Sequence, residues 1–294
     1  MAMRSWLFVP GDSERKLAKA AQSGADVVII DLEDAVRENA KPQARAMARS
    51  WLIANREQIV EASGQAHWVR INALDTPHWR EDLTAVMEGK PAGIMLPKAS
   101  GPEQVQQLSA ELHELEQQEG IPANTTLILP LVSETPAAAL TIAAYAAASL
   151  PRLAGLTWGA EDLSVAIGAT RKKTEAGEWA DAFRMVRAQV LLAAHAAGVM
   201  AVDTLQAEFR DLEGLKEAAT ASYADGFHGM LAIHPDQVPV INAAFTPNEE
   251  ELEQARAIVD AFAADPAAGA LQVDGRMVDR PHLEQARRLL AQSR

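Results

Sequence analysis

The chain repeats one pattern eight times: a short apolar run, then a longer amphipathic stretch. The interval is roughly 30 residues, the length of one strand–helix unit. The apolar runs fall at 6–9, 27–31, 68–72, 94–97, 127–132, 156–158, 199–203 and 230–233. Val27-Val28-Ile29-Ile30 is apolar on both faces, as a parallel strand covered by helices must be. The stretches between them read as helices. That at 13–22 stops at Ser23-Gly24, those at 77–87 and 102–118 open with proline, and that at 179–197 stops at Gly198. Further helices are expected at 42–55, 136–149 and 208–222. Eight such units in succession predict an α/β fold, a (β/α)8 TIM barrel. The rival, an open doubly wound sheet, would be supported by Gly-x-Gly-x-x-Gly after the first strand, and none is present.

The eighth unit does not exhaust the 294 residues. Residues 1–246 are assigned to the barrel and 247–294 to a C-terminal extension. The extension reads as a helix at 248–264, a hairpin at 270–278 turning on Asp274-Gly275, and a last helix at 282–292. A formal charge of -13, with no stripe of Lys or Arg to offset it, disfavours nucleic acid, and no nucleic-acid partner is expected. The chain has no cysteine, which removes disulfides, thiolate nucleophiles and Cys-ligated zinc. The first apolar run is too short for a signal peptide, and no apolar stretch reaches the roughly 20 residues that span a bilayer. The expectation is a soluble, cytoplasmic protein.

Acidic residues follow three of the strands. Asp31-Leu32-Glu33-Asp34 follows the second, Ser133-Glu134-Thr135-Pro136 the fifth, and Gly159-Ala160-Glu161-Asp162-Leu163 the sixth. Barrel enzymes place their chemistry at the C-terminal ends of strands. Asp31, Glu33, Glu134 and Asp162 gathered there would repel one another without a cation, and a cysteine-free set of carboxylates suits a hard ion such as Mg2+. The bland alternative is a set of helix N-terminal acids favoured by the helix dipole. Arg70, ending the third strand, is either their ion-pair partner or an anion clamp. Lys98, after the fourth, is either a neutralising charge or a Schiff-base amine. Arg15 and Lys19 lie one turn apart on the first helix, where they either hold a phosphate or are simply solvated. Of the seven histidines only His234 sits at a strand end, and Glu111-Leu112-His113-Glu114-Leu115-Glu116 reads as a solvated acidic face.

With these motifs in hand, the chain resembles the citrate lyase β-subunit-like CoA-ester lyases of the HpcH/HpaI aldolase superfamily. The resemblance rests on Leu7-Phe8-Val9-Pro10-Gly11, Asp31-Leu32-Glu33-Asp34-Ala35-Val36 with Lys41, Arg70-Ile71-Asn72 and Leu96-Pro97-Lys98. It continues through Ser133-Glu134-Thr135, Gly159-Ala160-Glu161-Asp162-Leu163, Ala232-Ile233-His234-Pro235 and Gly275-Arg276-Met277-Val278-Asp279-Arg280-Pro281. It implies a homotrimer or hexamer of barrels with Mg2+, or Mn2+, held by Glu134 and Asp162. Glu33 would hold metal-bound water and Arg70 a substrate oxygen. Asp279 would act as acid/base in a neighbouring subunit's site. Pro10, Gly11, Arg15 and Lys19 would meet the CoA thioester. One departure stands out: relatives commonly carry lysine where this chain has Met230, a change that bears on the thioester preference.

The implied reaction is reversible, Mg2+-dependent cleavage of a 3-hydroxyacyl-CoA of malyl-, citramalyl- or citryl-CoA type into an acyl-CoA and a 2-oxo acid. The alternatives are a metal-dependent aldolase on free 2-oxo acids, a Lys98 Schiff-base aldolase, and a subunit of a multiprotein citrate lyase acting on an acyl-carrier-protein thioester.

Overall fold

The computed structural model describes residues 3–56 and 64–292. Eight strands form one parallel sheet: β1 (Ser5–Pro10), β2 (Val27–Asp31), β3 (Ala66–Arg70), β4 (Gly93–Leu96), β5 (Leu127–Pro130), β6 (Gly155–Thr157), β7 (Met200–Asp203) and β8 (Gly229–Ala232). Their order is β5-β4-β3-β2-β1-β8-β7-β6. Parallel bridges Ile128–Leu153 and Leu131–Thr157 join the two end strands, so the sheet comes round into a nearly closed barrel. The expected TIM barrel is the observed fold.

The barrel interior follows from two-residue alternation. Val27 and Ile29, Ala66 and Trp68, and Leu129 and Leu131 point inward and pack with Trp6, Met95, Val202 and Leu231. The Trp6 and Trp68 rings meet edge to face at 5.1 Å. Gly93 on the neighbouring strand makes this possible, because a Cβ there would lie 2.4 Å from the Trp68 ring. Register then aligns the working ends. Pro10 pairs with Asp31 and Asp31 with Arg70, which puts three candidate residues side by side in one row.

Nine helices accompany the barrel strands among the described residues: α1 (Glu14–Ala20), α2 (Lys41–Asn55), α3 (Trp79–Met87), α4 (Pro102–Gln118), α5 (Pro136–Thr141), α6 (Ala160–Ala166), α7 (Asp181–Ala197), α8 (Leu212–Asp225) and α9 (Gln237–Ala244). The helix expected at 136–149 is shorter, and passes into a 3-10 turn at Ile142–Ala146. Glu116 corrects the reading of its helix as a solvated acidic face. It is fully buried and clamps Arg152 through two hydrogen bonds of 2.6 and 2.7 Å. The reason is periodicity: Val105, Leu108 and Leu112 form the buried stripe of α4, and Glu116 continues it four residues on.

Residues Met3–Asn242 make one compact unit, and the described residues 243–292 belong to a second. The second contains α10 (Glu249–Ala264), β9 (Ala270–Val273), β10 (Arg276–Asp279) and α11 (Arg280–Gln292). Asn248 and Glu251 form a capping box at the start of α10. The hairpin turns on Asp274 (φ 48) and Gly275 (φ 77), both left-handed as a type I′ turn requires. Its small core is Phe262, Val278 and Leu283. No helix among the described residues is long and apolar enough to cross a membrane.

Candidate active site

A cavity of about 910 Å3 opens over the C-terminal ends of the strands. Pro10, Arg15, Lys19, Asp31, Arg70, Glu134, Asp162 and His234 all line it. Six of the nine residues singled out from sequence as site residues are therefore on its wall. Gly11 lies just behind the wall, its N–H donating to the Asp31 carbonyl at 2.8 Å. Glu33 is buried beneath, bonded to Lys98. Asp279 belongs to the C-terminal unit. Met230 does not line the cavity; it pairs with Ser5 at the start of β1, toward the opposite end of the strands.

Local bonding brings Glu134 and Asp162 toward one another. Ser133 Oγ accepts from Gly159 N–H at 3.1 Å and so ties the segment after β5 to the segment after β6. Thr135 caps α5 through Ala138 N–H, which fixes the chain on the far side of Glu134. Gly159 leaves room, since a Cβ there would come within 3.2 Å of Glu134 Cγ. Asp162 sits in the first turn of α6, where the helix dipole favours a carboxylate. Burial, with Glu33 and Asp162 nearby, pushes the Glu134 carboxyl up to about 8 despite Lys98 N–H and Arg70.

Asp31, grouped from sequence with the cation-seeking acids, has a different partner. Arg70 donates Nε to Asp31 Oδ1 at 2.7 Å and Nη2 to Oδ2 at 2.6 Å. The amides of Glu33 and Ala35 also donate to it. Burial alone would raise the Asp31 pKa, but Arg70 and these amides lower it, so it stays a carboxylate. Arg70 Nη1 lies 3.0 Å from Glu33 Oε2, and the guanidinium stacks over Phe8 at 4.8 Å. The ion-pair reading of Arg70 matches the observed contacts, and the residue also lines the cavity.

Lys98 binds Glu33 Oε1, with Asp34 Oδ2 at 3.4 Å. Burial would lower its pKa, but Glu33 and Asp34 outweigh that and raise it, so the amine stays an ammonium and a poor nucleophile. At the rim, Arg15 and Lys19 are exposed and pair with no carboxylate among the described residues. Trp158, on the same wall, is locked by Nε1–H to Asp203 Oδ1 at 2.7 Å, and His234 stacks on Phe209 at 4.8 Å. Asp203 and Phe209 carry no recognisable signal in sequence.

The donor set fits a hard divalent cation. Glu134 Oε2 accepts from Lys98 N–H, while Oε1 has no hydrogen-bond donor among the described residues. Glu33 Oε2 is buried with an ionic neighbour but no hydrogen bond. Among the described residues no group of three or more His, Asp or Glu side chains is placed to hold a metal ion by itself. A pair of protein carboxylates is a donor set that would suit Mg2+, which is usually held by one or two carboxylates together with substrate and water.

A parallel barrel with carboxylates, an arginine and a lysine gathered at its strand ends defines a barrel enzyme of the aldolase type. The chain belongs to the HpcH/HpaI aldolase/citrate lyase family, whose model matches residues 4–235. It is 37% identical over 285 residues to a citrate lyase subunit beta-like protein of Mycobacterium tuberculosis, covering 97% of this chain and 93% of that one. It is 33% identical over 313 residues to an L-malyl-CoA/beta-methylmalyl-CoA lyase of Rhodobacter capsulatus, covering 99% and 94%. The crystal structure of CitE from Mycobacterium tuberculosis with magnesium, acetoacetate and coenzyme A superposes with a TM-score of 0.77 at 36% identity, over 99% of this chain and 98% of that one.

Proposed function

We propose that this protein is a Mg2+-dependent carbon–carbon lyase that reversibly cleaves a 3-hydroxyacyl-CoA into an acyl-CoA and a 2-oxo acid. One observation carries the reading: Glu134, Asp162 and Arg70 share a cavity with the exposed cations Arg15 and Lys19. The 2-oxo acid end and the phosphate end of a thioester substrate thus each find a complementary wall. Glu134 and Asp162 would hold Mg2+, or Mn2+, which when bound acts as Lewis acid and template for the 2-oxo acid.

The protein's own groups then do the rest. Arg70, fixed from below by Asp31, offers its remaining N–H groups to oxygen that gains charge as the bond breaks. Glu33 is held between Lys98 and Arg70, and would reach the cation through water. Arg15 and Lys19 draw in the CoA phosphates over the strand ends, with Pro10 on the wall and Gly11 supporting it from behind. Asp279 delivers or removes the proton at the acyl α-carbon, acting on a neighbouring subunit's site in a trimer or hexamer. In this chain it accepts from His282 at the N-terminus of α11, and that partner lowers its pKa, so it is a base in the resting state.

The likeness to a citrate lyase subunit beta-like protein favours a second reading, action on a thioester carried by a protein rather than by CoA. The test is mass spectrometry of products from Mg2+, a panel of 2-oxo acids, and acetyl or propionyl thioesters of CoA or of an acyl carrier protein. A new 3-hydroxyacyl-CoA supports the proposal. Product only from an acyl-carrier thioester supports the second reading. Free CoA and unchanged 2-oxo acid would indicate a thioesterase instead.

A further inference from the structure

Lys98 lies just beyond β4 with φ 50, in the left-handed region that a side chain disfavours. Such a conformation persists only where the surroundings over-determine it. Here they do so from two sides. The Lys98 N–H donates to Glu134 Oε2 on the β5 side, and Ala99 N–H on the carbonyl of Leu131, one residue past β5, at 3.1 Å holds the next residue in place. The side chain leaves in the other direction, past β3, and its ammonium binds Glu33 Oε1 beyond β2. An extended backbone at this position would turn the side chain away from Glu33 and lift Ala99 from Leu131. With Oε2 taken, Glu134 keeps Oε1 for another partner. With Oε1 taken and Arg70 Nη1 at 3.0 Å from Oε2, Glu33 is held between two cations.

Resting on the metal reading above, we infer that Lys98 is the positioning residue of this site, its main chain aiming Glu134 and its side chain aiming Glu33 at one divalent cation. This is more than neutralisation. A residue acting by charge alone would weaken cation binding, so its removal would tighten it. A positioning residue does the reverse, because the freed carboxylates lose the geometry the ion needs.

The test is calorimetric titration of Mg2+ into the full chain and into Glu134→Gln, Lys98→Met, Lys98→Gly and Lys98→Val. Methionine removes the charge at unchanged backbone preference. Glycine removes it and accepts positive φ, whereas valine removes it and resists positive φ. Lys98→Met and Lys98→Gly should each bind Mg2+ threefold or more weakly than the wild type, and Lys98→Val tenfold or more weakly than Lys98→Gly. Equal or tighter binding by Lys98→Met and Lys98→Gly would overturn the inference. Equal binding by Lys98→Val and Lys98→Gly would overturn its backbone half. If circular dichroism finds Lys98→Val unfolded, the other two variants decide. Wild-type affinity in Glu134→Gln would remove the metal reading itself, a pattern distinct from any of these.

Discussion

Arg70 grips Asp31 with two parallel hydrogen bonds, Nε to Oδ1 at 2.7 Å and Nη2 to Oδ2 at 2.6 Å. The two residues are direct neighbours across β2 and β3. This fork fixes the plane of the guanidinium and decides which of its protons face the cavity. Arg70→Lys keeps the charge and loses the fork. It should lower kcat roughly tenfold or more, the range for a lost oxyanion donor, with little change in KM. Asp31→Asn should give a similar defect, and the double variant one far smaller than the sum, because both act through one geometry. Steady-state kinetics on the three variants check this, and additive losses would separate the two residues.

Arg15 and Lys19 make a different kind of contribution. They are exposed on the cavity wall and come from α1, an element separate from the segment that carries Glu134. Contacts equal in ground and transition state change KM and leave kcat alone. Arg15→Ala and Lys19→Ala should therefore raise KM for the CoA thioester severalfold, and the effect should shrink at high salt. A fall in kcat at unchanged KM would move these residues into the reacting centre.

Acid stability should report the Glu116–Arg152 pair. Burial alone would raise the Glu116 pKa, but Arg152 and the amides of Thr126 and Asn124 hold it near 2, below its ordinary 4.5. A carboxyl depressed in the folded state stabilises the protein fully above the ordinary value and loses that contribution as pH falls toward 2. Glu116→Gln should cost about 3–5 kcal/mol at neutral pH, as for a broken buried pair. It should also flatten the pH dependence of stability between 4.5 and 2. Urea unfolding across that window measures both, and a variant with unchanged slope would contradict the assignment.

Asp279 has two measurable identities. As the residue that precedes α11 and accepts from His282, it is a helix cap. As an acid/base it serves a neighbour. Asp279→Ala should lose turnover with only a small fall in Tm. Mixing it with inactive Glu134→Gln subunits should restore part of the activity, since some interfaces then join an intact metal site to an intact Asp279. No recovery despite subunit exchange would leave Asp279 as a cap.

The barrel was legible because periodicity is a local signal. Val27-Val28-Ile29-Ile30 and its counterparts mark their strands unaided, and all eight candidates overlap observed strands. Boundaries were less legible: β3 ends at Arg70 and not at Asn72, whose side chain instead serves Lys41 and Asp82. Glu116 could have been placed inside, four residues beyond Leu112 on the buried stripe. Asp31 could not have been separated from the other acids, because only register puts it opposite Arg70. The left-handed turn at Lys98 is equally invisible, as no glycine or asparagine announces it.

The central claim is that Glu134 and Asp162 hold a cation without which the carbon–carbon bond does not break. The direct measurement is release of 2-oxo acid from a 3-hydroxyacyl-CoA, followed as its phenylhydrazone, in protein stripped with EDTA and then given Mg2+. The wild type should be inactive when stripped and recover fully with Mg2+, while Glu134→Gln and Asp162→Asn stay inactive at every Mg2+ concentration and remain folded. Release of 2-oxo acid by the stripped protein at the Mg2+-loaded rate would contradict the account.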